Sequence, residues 1–161
     1  MKTLVLSVII AMTSVVNAVS GNRVNNFAYN TETNGGRTET QTVFKVENNK
    51  YLHNHVKYNY IYDNNGRIQQ KEVLKWNEDT KSFEKHHSLN FFYTDDLTIE
   101  YAAWNEKDNA YTDIKQKAVY QQTNDSNLRY LSYEWNKKNN NWNLTTDHQF
   151  TDETVKLLAE K

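Results

Sequence analysis

The sequence predicts an all-β protein, an antiparallel meander of about ten strands in tandem hairpin repeats that forms a strongly twisted or curled open sheet. Three observations lead to this prediction. A Trp-Asn pair, five polar or small residues and an aromatic residue recur in that order from Trp76, Trp104 and Trp135. Apolar and polar residues alternate along most of the chain, as in strands. Asn34-Gly-Gly-Arg37 precedes Asn64-Asn-Gly-Arg67 by thirty residues, an offset typical of structural repeats.

The composition favours a folded chain with a thin core. Aromatic residues make up 13% of the 161 residues, and the sequence contains neither proline nor cysteine. A mean hydropathy of −0.93 is low for a thick aliphatic core, whereas a disordered chain would lack the aromatic residues. Without disulfides, stability must come from the fold itself or from a partner.

The first eighteen residues have the pattern of a secretory signal peptide. Lys2 gives a positive start, residues 4–16 are mostly apolar, and Val16-Asn-Ala18 provides a cleavage site. A short membrane anchor is the alternative, but this apolar stretch is shorter than the roughly 20 residues that span a bilayer. We expect cleavage after Ala18, a single domain over residues 19–161, and an exported protein, periplasmic or extracellular, without a membrane span.

The strands are expected to follow one another from Phe27, separated by turns rich in Asn, Asp and Gly. The predicted strands are Phe27 to Asn30, Thr38 to Glu47, Tyr51 to Tyr62, Arg67 to Trp76, Phe83 to Tyr93, Leu97 to Trp104, Tyr111 to Tyr120, Leu128 to Trp135 and Trp142 to Phe150. Uninterrupted alternation places Ile68 on the same face as Trp76, and Phe83 on the same face as Phe91.

The last segment, residues 151–161, admits two interpretations. Its composition resembles a capped helix. It also aligns with residues 94–104, which are predicted to form a turn and a strand. The repeat favours a final strand, and a helix remains the alternative.

Each Trp-Asn segment is predicted to form a hairpin tip with one ring on each strand just outside the turn. The expected ring pairs are Trp76 with Phe83, Trp104 with Tyr111, and Trp135 with Trp142. Facing rings contribute roughly 0.5–1.5 kcal/mol beyond the area that they bury, which would fix the register around a soft loop.

Two resemblances extend this reasoning. The segment Tyr60-Ile-Tyr62-Asp-Asn-Asn-Gly66-Arg67-Ile68 resembles the tyrosine–aspartate (YD) repeats of Rhs-type secreted shells, in which hairpins coil into a β-strip. The signal segment, the length and the Trp-Asn tips together resemble a family of small exported proteins of Bacteroides-type bacteria. That family is functionally uncharacterised, so the resemblance implies a fold and export but no activity.

Ionisable side chains give little indication of catalysis or metal binding. His53 and His55 are expected to lie one strand away from His86 and His87, a gap of roughly 10 Å that is too wide for one tetrahedral metal site. Acidic residues are concentrated in solvated turns, where the pKa shifts needed for acid–base catalysis are difficult to achieve. Without Lys2 the chain has 18 basic and 20 acidic residues, and a net charge of −2 does not indicate nucleic acid binding. We therefore expect no metal, no cofactor and no enzymatic activity.

The aromatic rows are the remaining candidate for a function, although such rings also serve as a core. If exposed, they would stack on sugar rings or contact a partner. We expect an exported, non-enzymatic binding or interaction module for an unknown protein or glycan, and the alternative is a glycan-binding protein that uses an aromatic face. The candidate binding residues are Trp76, Trp104, Trp135, Trp142, Tyr58, Tyr60 and Tyr62.

Overall fold

The computed structural model describes residues 27–124 and 127–150, which form a single sheet of nine strands. Every strand is antiparallel to its neighbours, and the order across the sheet equals the order along the chain. The strands are β1 (Phe27–Asn34), β2 (Arg37–Glu47), β3 (Tyr51–Tyr62), β4 (Ile68–Asn77), β5 (Ser82–Tyr93), β6 (Leu97–Asn105), β7 (Ala110–Asn124), β8 (Asn127–Asn136) and β9 (Asn141–Phe150).

The predicted all-β meander and open sheet are therefore confirmed. The described residues contain no helix that is long and apolar enough to cross a membrane. The predicted signal segment, residues 1–18, and the predicted final strand, within residues 151–161, lie outside the described residues.

The thirty-residue repeat is visible in the packing as well as in the sequence. Val43 and Val73, which align at this offset, are both only 6% exposed. The turn after β1 uses Gly35 and Gly36 with φ of 58° and 78°, the left-handed conformation required by a two-residue hairpin turn. The turn after β3 uses Gly66 with φ of 76°.

Extra residues interrupt the pairing of every hairpin that has its turn at the Trp-Asn end of the sheet, two of them in the β6–β7 hairpin and one in each of the others. The returning strands β3, β5, β7 and β9 leave unpaired, at equivalent places, His55, His86, Lys115 and Thr145. Such β-bulges bend a strand and increase its right-handed twist. The sheet therefore receives a strong local twist at each of these places, and the β1–β2, β3–β4 and β7–β8 pairings contain further register shifts.

The bulges reverse the expected alternation in two strands, so that both predicted face assignments are wrong. The unpaired Gln69 in β4 places Ile68 on the face opposite Trp76. The unpaired His86 in β5 likewise separates Phe83 from Phe91. A bulge shifts the register by one residue, and one residue exchanges the two faces of a strand.

The sheet consequently has two aromatic faces with different chemistry. We call the side that carries Trp76, Trp104 and Trp135 the tryptophan face, and the side that carries Tyr58 and Tyr60 the tyrosine face. The main buried cluster lies on the tyrosine face, away from the Trp-Asn tips. Its buried members are Phe91, Leu97, Tyr120 and Leu128.

Candidate functional site

The three predicted ring pairs are confirmed. Trp76 and Phe83 have ring centroids 5.0 Å apart at an interplanar angle of 67°. The later pairs have the same T-shaped geometry, at 4.9 Å and 67° for Trp104 with Tyr111 and at 5.2 Å and 69° for Trp135 with Trp142. All six rings are half-buried, so each is held by its partner and still presents a surface to solvent.

The asparagine of each Trp-Asn pair organises the loop that follows it. Asn77 accepts backbone N–H groups from Asp79 at 2.8 Å and from Thr80 at 3.3 Å through its side-chain oxygen. Asn105 and Asn136 accept in the same way from residues two or three positions further on. This is the local bonding that asparagine supplies in turns, and it explains why the pair recurs.

The tryptophan face is drawn together by a contact that spans four strands. The Tyr111 hydroxyl on β7 donates a 2.8 Å hydrogen bond to the Glu72 carboxylate on β4. The same carboxylate accepts a 2.7 Å bond from the Asn59 amide on β3. Burial and the Glu72 charge both raise the pKa of Tyr111, so the phenol stays protonated and donates.

Two lysines lie over rings on this face. The Lys85 ammonium is 4.3 Å from the Trp104 ring centroid and 3.9 Å from a Glu72 oxygen. The Lys117 ammonium is 4.5 Å from the Trp142 ring centroid and 5.1 Å from that of Tyr133. The tryptophan face is therefore a mixed aromatic and cationic surface rather than a bare apolar one.

An open depression of about 560 Å³ lies beside Trp76 at the tip end of the sheet. Its walls carry the His53–Glu47 pair, whose atoms are 2.9 Å apart, together with the Asn54 amide and the Glu78 carboxylate. Lys81, followed by Trp76, lowers the pKa of Glu78 by hydrogen bonding to it. The depression therefore offers a carboxylate, an amide and an imidazole next to an indole ring.

The tyrosine face holds the other candidate residues, so the predicted binding residues do not form one surface. The Tyr62 hydroxyl donates a 2.7 Å hydrogen bond to the Thr38 carbonyl, so this side chain has a structural role. Tyr58 and Tyr60 instead flank the Lys71 ammonium, with ring centroids 3.9 and 5.6 Å from Nζ. Burial, ahead of the neighbouring tyrosines, raises the pKa of Tyr60 to about 12.

The histidines lie at two separate places. His55 packs against Phe27, with ring centroids 5.6 Å apart. The Nδ1 atoms of His86 and His87 are 2.6 Å apart, and His87 stacks on Tyr101. In residues 27–124 and 127–150, no group of three or more His, Cys, Asp or Glu side chains is arranged to hold a metal ion.

Comparison with known families identifies the chain. A family described as "Family of unknown function (DUF3836)" matches residues 1–122. The chain belongs to the DUF3836 family. The predicted relationship to a functionally uncharacterised family with Bacteroides members is thereby confirmed.

Solved structures of two Bacteroides proteins resemble this DUF3836 chain. A DUF3836 family protein from Bacteroides vulgatus is 34% identical, with a TM-score of 0.51 over 54% of this chain and 89% of its own. A protein of unknown function from Bacteroides fragilis is 23% identical, with a TM-score of 0.66 over 77% of this chain and 91% of its own, and supports the fold alone. None of the curated proteins matches the chain.

Sequence reasoning missed the polar residues at the centre of the two faces of this DUF3836 protein. Lys71 and Glu72 are adjacent in β4 and therefore point to opposite faces. Each lies among aromatic rings, although the sequence gives them no motif. The feature of the sequence that could have indicated them is the run of polar residues from Gln69 to Glu72 inside a predicted strand.

Proposed function

We propose that this DUF3836 protein is an exported, non-enzymatic binding module that holds its ligand against the tryptophan face. The observation that carries the proposal is the Tyr111–Glu72 hydrogen bond, which joins strands separated by β5 and β6. A contact across such a gap favours a sheet that curves toward this face and becomes concave there. Concave surfaces that combine aromatic rings with a few polar groups are typical of binding sites. Export is proposed from the pattern of residues 1–18.

The ionic state of the carboxylates supports a role other than catalysis. Arg67, Lys115 and Arg129 form ion pairs at 2.7, 3.2 and 2.6 Å with Asp63, Asp113 and Asp147. Hydrogen bonds to these carboxylates, first among the causes, lower the pKa of each of them. They are therefore ionised near neutral pH, whereas general acid catalysis needs a carboxyl group whose pKa has been raised.

A glycan is the second candidate ligand. Trp76, Trp104 and Trp135 lie on alternate strands, which places their backbones roughly 10 Å apart. That distance approaches the length of one disaccharide in an extended polysaccharide, so successive rings would meet successive units. Next to Trp76, the Asn54 amide and the Glu78 carboxylate would hydrogen-bond to sugar hydroxyls. We also propose that the chain is related to YD repeats, because the Asp63–Arg67 turn lies in the segment that resembles them.

Tryptophan fluorescence provides the test, because the four tryptophans of the sequence all lie in ring pairs on the tryptophan face. Ligands are sought with a glycan array and by capture from the native envelope. Each ligand is then titrated into the full chain while the tryptophan emission is recorded. The proposal expects the emission to change and the affinity to fall in the Trp76→Leu variant.

The matched control is Tyr60→Phe, which alters a half-buried ring on the opposite face and is expected to leave the affinity unchanged. A ligand that binds without changing tryptophan emission, and equally well to Trp76→Leu, would place the site elsewhere and contradict the proposal.

A further inference from the structure

Lys71 is a half-buried ammonium group on the tyrosine face. None of the ion pairs in residues 27–124 and 127–150 includes it. The contacts of its Nζ atom are the rings of Tyr58 and Tyr60. Burial lowers its pKa, because desolvation disfavours the charged form. Contact with aromatic rings offsets part of the desolvation cost of the ammonium group, and pairing with an anion offsets more of that cost.

A histidine that is neutral near pH 7 lies beside Lys71. His87, stacked on Tyr101 with centroids 4.6 Å apart, lies on the same face of the neighbouring strand β5. Burial first, and then His86, Lys75 and Lys71, lowers the pKa of His87 to about 4. An anion bound here would meet Lys71 directly and would favour protonation of His87.

Glu84, an acidic residue on this face, is already engaged in hydrogen bonds. Glu84 lies opposite Lys75 in the pairing of β4 with β5. Its carboxylate accepts 2.8 Å hydrogen bonds from the Asn77 amide and from the Thr80 hydroxyl in the adjoining loop. Glu84 is therefore held at the tip of the hairpin, and Lys71 keeps its uncompensated charge.

We propose that Lys71, with His87 beside it, forms a second binding site on the tyrosine face that takes an acidic saccharide. The carboxylate or sulfate of the sugar pairs with the Lys71 ammonium. The sugar ring packs against Tyr58 and Tyr60, whose faces are apolar and whose hydroxyls are polar. This site is distinct from the tryptophan face and does not depend on the function proposed for that face.

A saccharide fits this surface better than a compact anion because the rings extend in a row away from Lys71. Tyr29 on β1 continues the row on the same face and is 61% exposed. A flat sugar ring uses such a surface, with its carbon–hydrogen side on the aromatic ring and its hydroxyls toward the phenolic oxygens. A small inorganic anion would contact the ammonium alone.

Calorimetric titration of the full chain with four probes tests the proposal. The probes are a galacturonate trimer, the methyl ester of that trimer, a sulfated galactan oligosaccharide and polyglutamate. The acidic trimer or the sulfated oligosaccharide is expected to bind at least about tenfold more tightly than the ester and polyglutamate, since a charge-assisted contact is worth about that factor. The difference between carboxylate and sulfate probes identifies the anionic group.

Three variants locate the site. Lys71→Met is expected to lose about tenfold or more in affinity, and Lys71→Arg to retain most of it because the charge remains. Lys117→Met is the matched control, since Lys117 also lies over two rings but on the opposite face and opposite Glu100. It is expected to change the affinity less than about twofold.

Wild-type NMR keeps the proposal testable even if Lys71→Met does not fold. The side-chain signals of Lys71 and Tyr58 should shift on titration, while those of Trp142 should not. Equal binding of the ester or of polyglutamate, or an equal loss in Lys117→Met, would overturn the proposal. If the acidic trimer changed the tryptophan emission, its binding site would lie on the tryptophan face, and this result would also overturn the proposal.

Discussion

The Tyr111 hydroxyl on β7 lies 2.8 Å from a carboxylate oxygen of Glu72 on β4, although β5 and β6 separate these strands in the sheet. In a flat sheet the two backbones would be about 14 Å apart, three strand spacings. The bulges at His86, Thr112 and Lys115, which lie in the pairings between β4 and β7, supply twist across this gap. The unpaired residues between these strands therefore favour the concave tryptophan face that we propose.

Removal of the Tyr111 hydroxyl should weaken this curl. The Tyr111→Phe variant is expected to lose about 1.5–3 kcal/mol of unfolding free energy, because the hydroxyl donates to the carboxylate of Glu72, whose side chain is only 16% exposed. Urea unfolding measures the change. The control is Tyr58→Phe, whose hydroxyl makes no hydrogen bond to a described residue and whose loss should cost less than about 0.5 kcal/mol. Equal effects in the two variants would show that the bond does not contribute.

A double-mutant cycle tests whether facing rings stabilise the hairpin tips. Trp76→Leu and Phe83→Leu, made singly and together, should show a coupling energy of about 0.5–1.5 kcal/mol, because the rings form a T-shaped pair. Chemical denaturation of the four proteins supplies the energies. Strictly additive effects would mean that the rings contribute only through the area that each buries.

Replacement of Lys81 by glycine is expected to stabilise the folded protein. It ends the loop after Trp76 with φ of 53°, a left-handed conformation that is unfavourable for residues with a Cβ. Lys81→Gly should therefore raise the unfolding free energy by about 1 kcal/mol, since the exposed ion pair with Glu78 contributes little.

The comparison for this prediction is Lys107→Gly in the next tip. Lys107 does not have a positive φ, so the same substitution there adds only conformational freedom to the unfolded chain. Its expected effect is a loss of about 0.5–1 kcal/mol. A loss of stability in Lys81→Gly as well would contradict the argument from backbone conformation.

His87 should make the protein less stable in weak acid. Burial holds the pKa of His87 at about 4 in the folded protein, below its usual 6.5, so the unfolded chain binds a proton that the folded chain does not. The unfolding free energy should therefore fall as the pH decreases from about 6.5 toward 4, by about 1 kcal/mol after allowance for solvent screening of a half-exposed ring.

Unfolding measured between about pH 5 and 6.5 reports mainly on histidines, because ordinary carboxylates titrate mainly below that range. Burial, followed by Lys75, also lowers the pKa of His86, which adds to the slope in the same window. The His87→Gln variant should show a flatter dependence on pH in the same window. An unchanged slope in the variant would assign the pH dependence to other groups.

The sequence predicted the meander because ring pairs and turns are local features. Trp76 and Phe83 close a loop whose bonding is set by Asn77, and all three are adjacent or nearly so in the chain. The bulges were not predicted, since a period of two was extended through His86 while the faces exchange in space. The polar run from Glu84 to Ser88 marks the place where the pattern is interrupted.

The candidate site was predicted only in part for the same reason. The tryptophans and the tyrosines were expected to act together as aromatic rows, but the unpaired Gln69 in the β3–β4 pairing places Trp76 on the face opposite Tyr58 and Tyr60. The polar groups that give each face its character, Glu72 and Lys71, are neighbours with no motif. Their partners, Tyr111 and Tyr58, come from other strands and become apparent only when the sheet is assembled.

The curl of the sheet toward the tryptophan face is tested most directly by nuclear Overhauser contacts in the full chain. The ring protons of Tyr111 should show a contact with the side-chain methylene protons of Glu72, because the hydroxyl and the carboxylate are 2.8 Å apart. Detection of this contact across β5 and β6 is the predicted result. Its absence, with the neighbouring contacts between Trp104 and Tyr111 present, would mean that the sheet is flat here and that the proposed concave face does not exist.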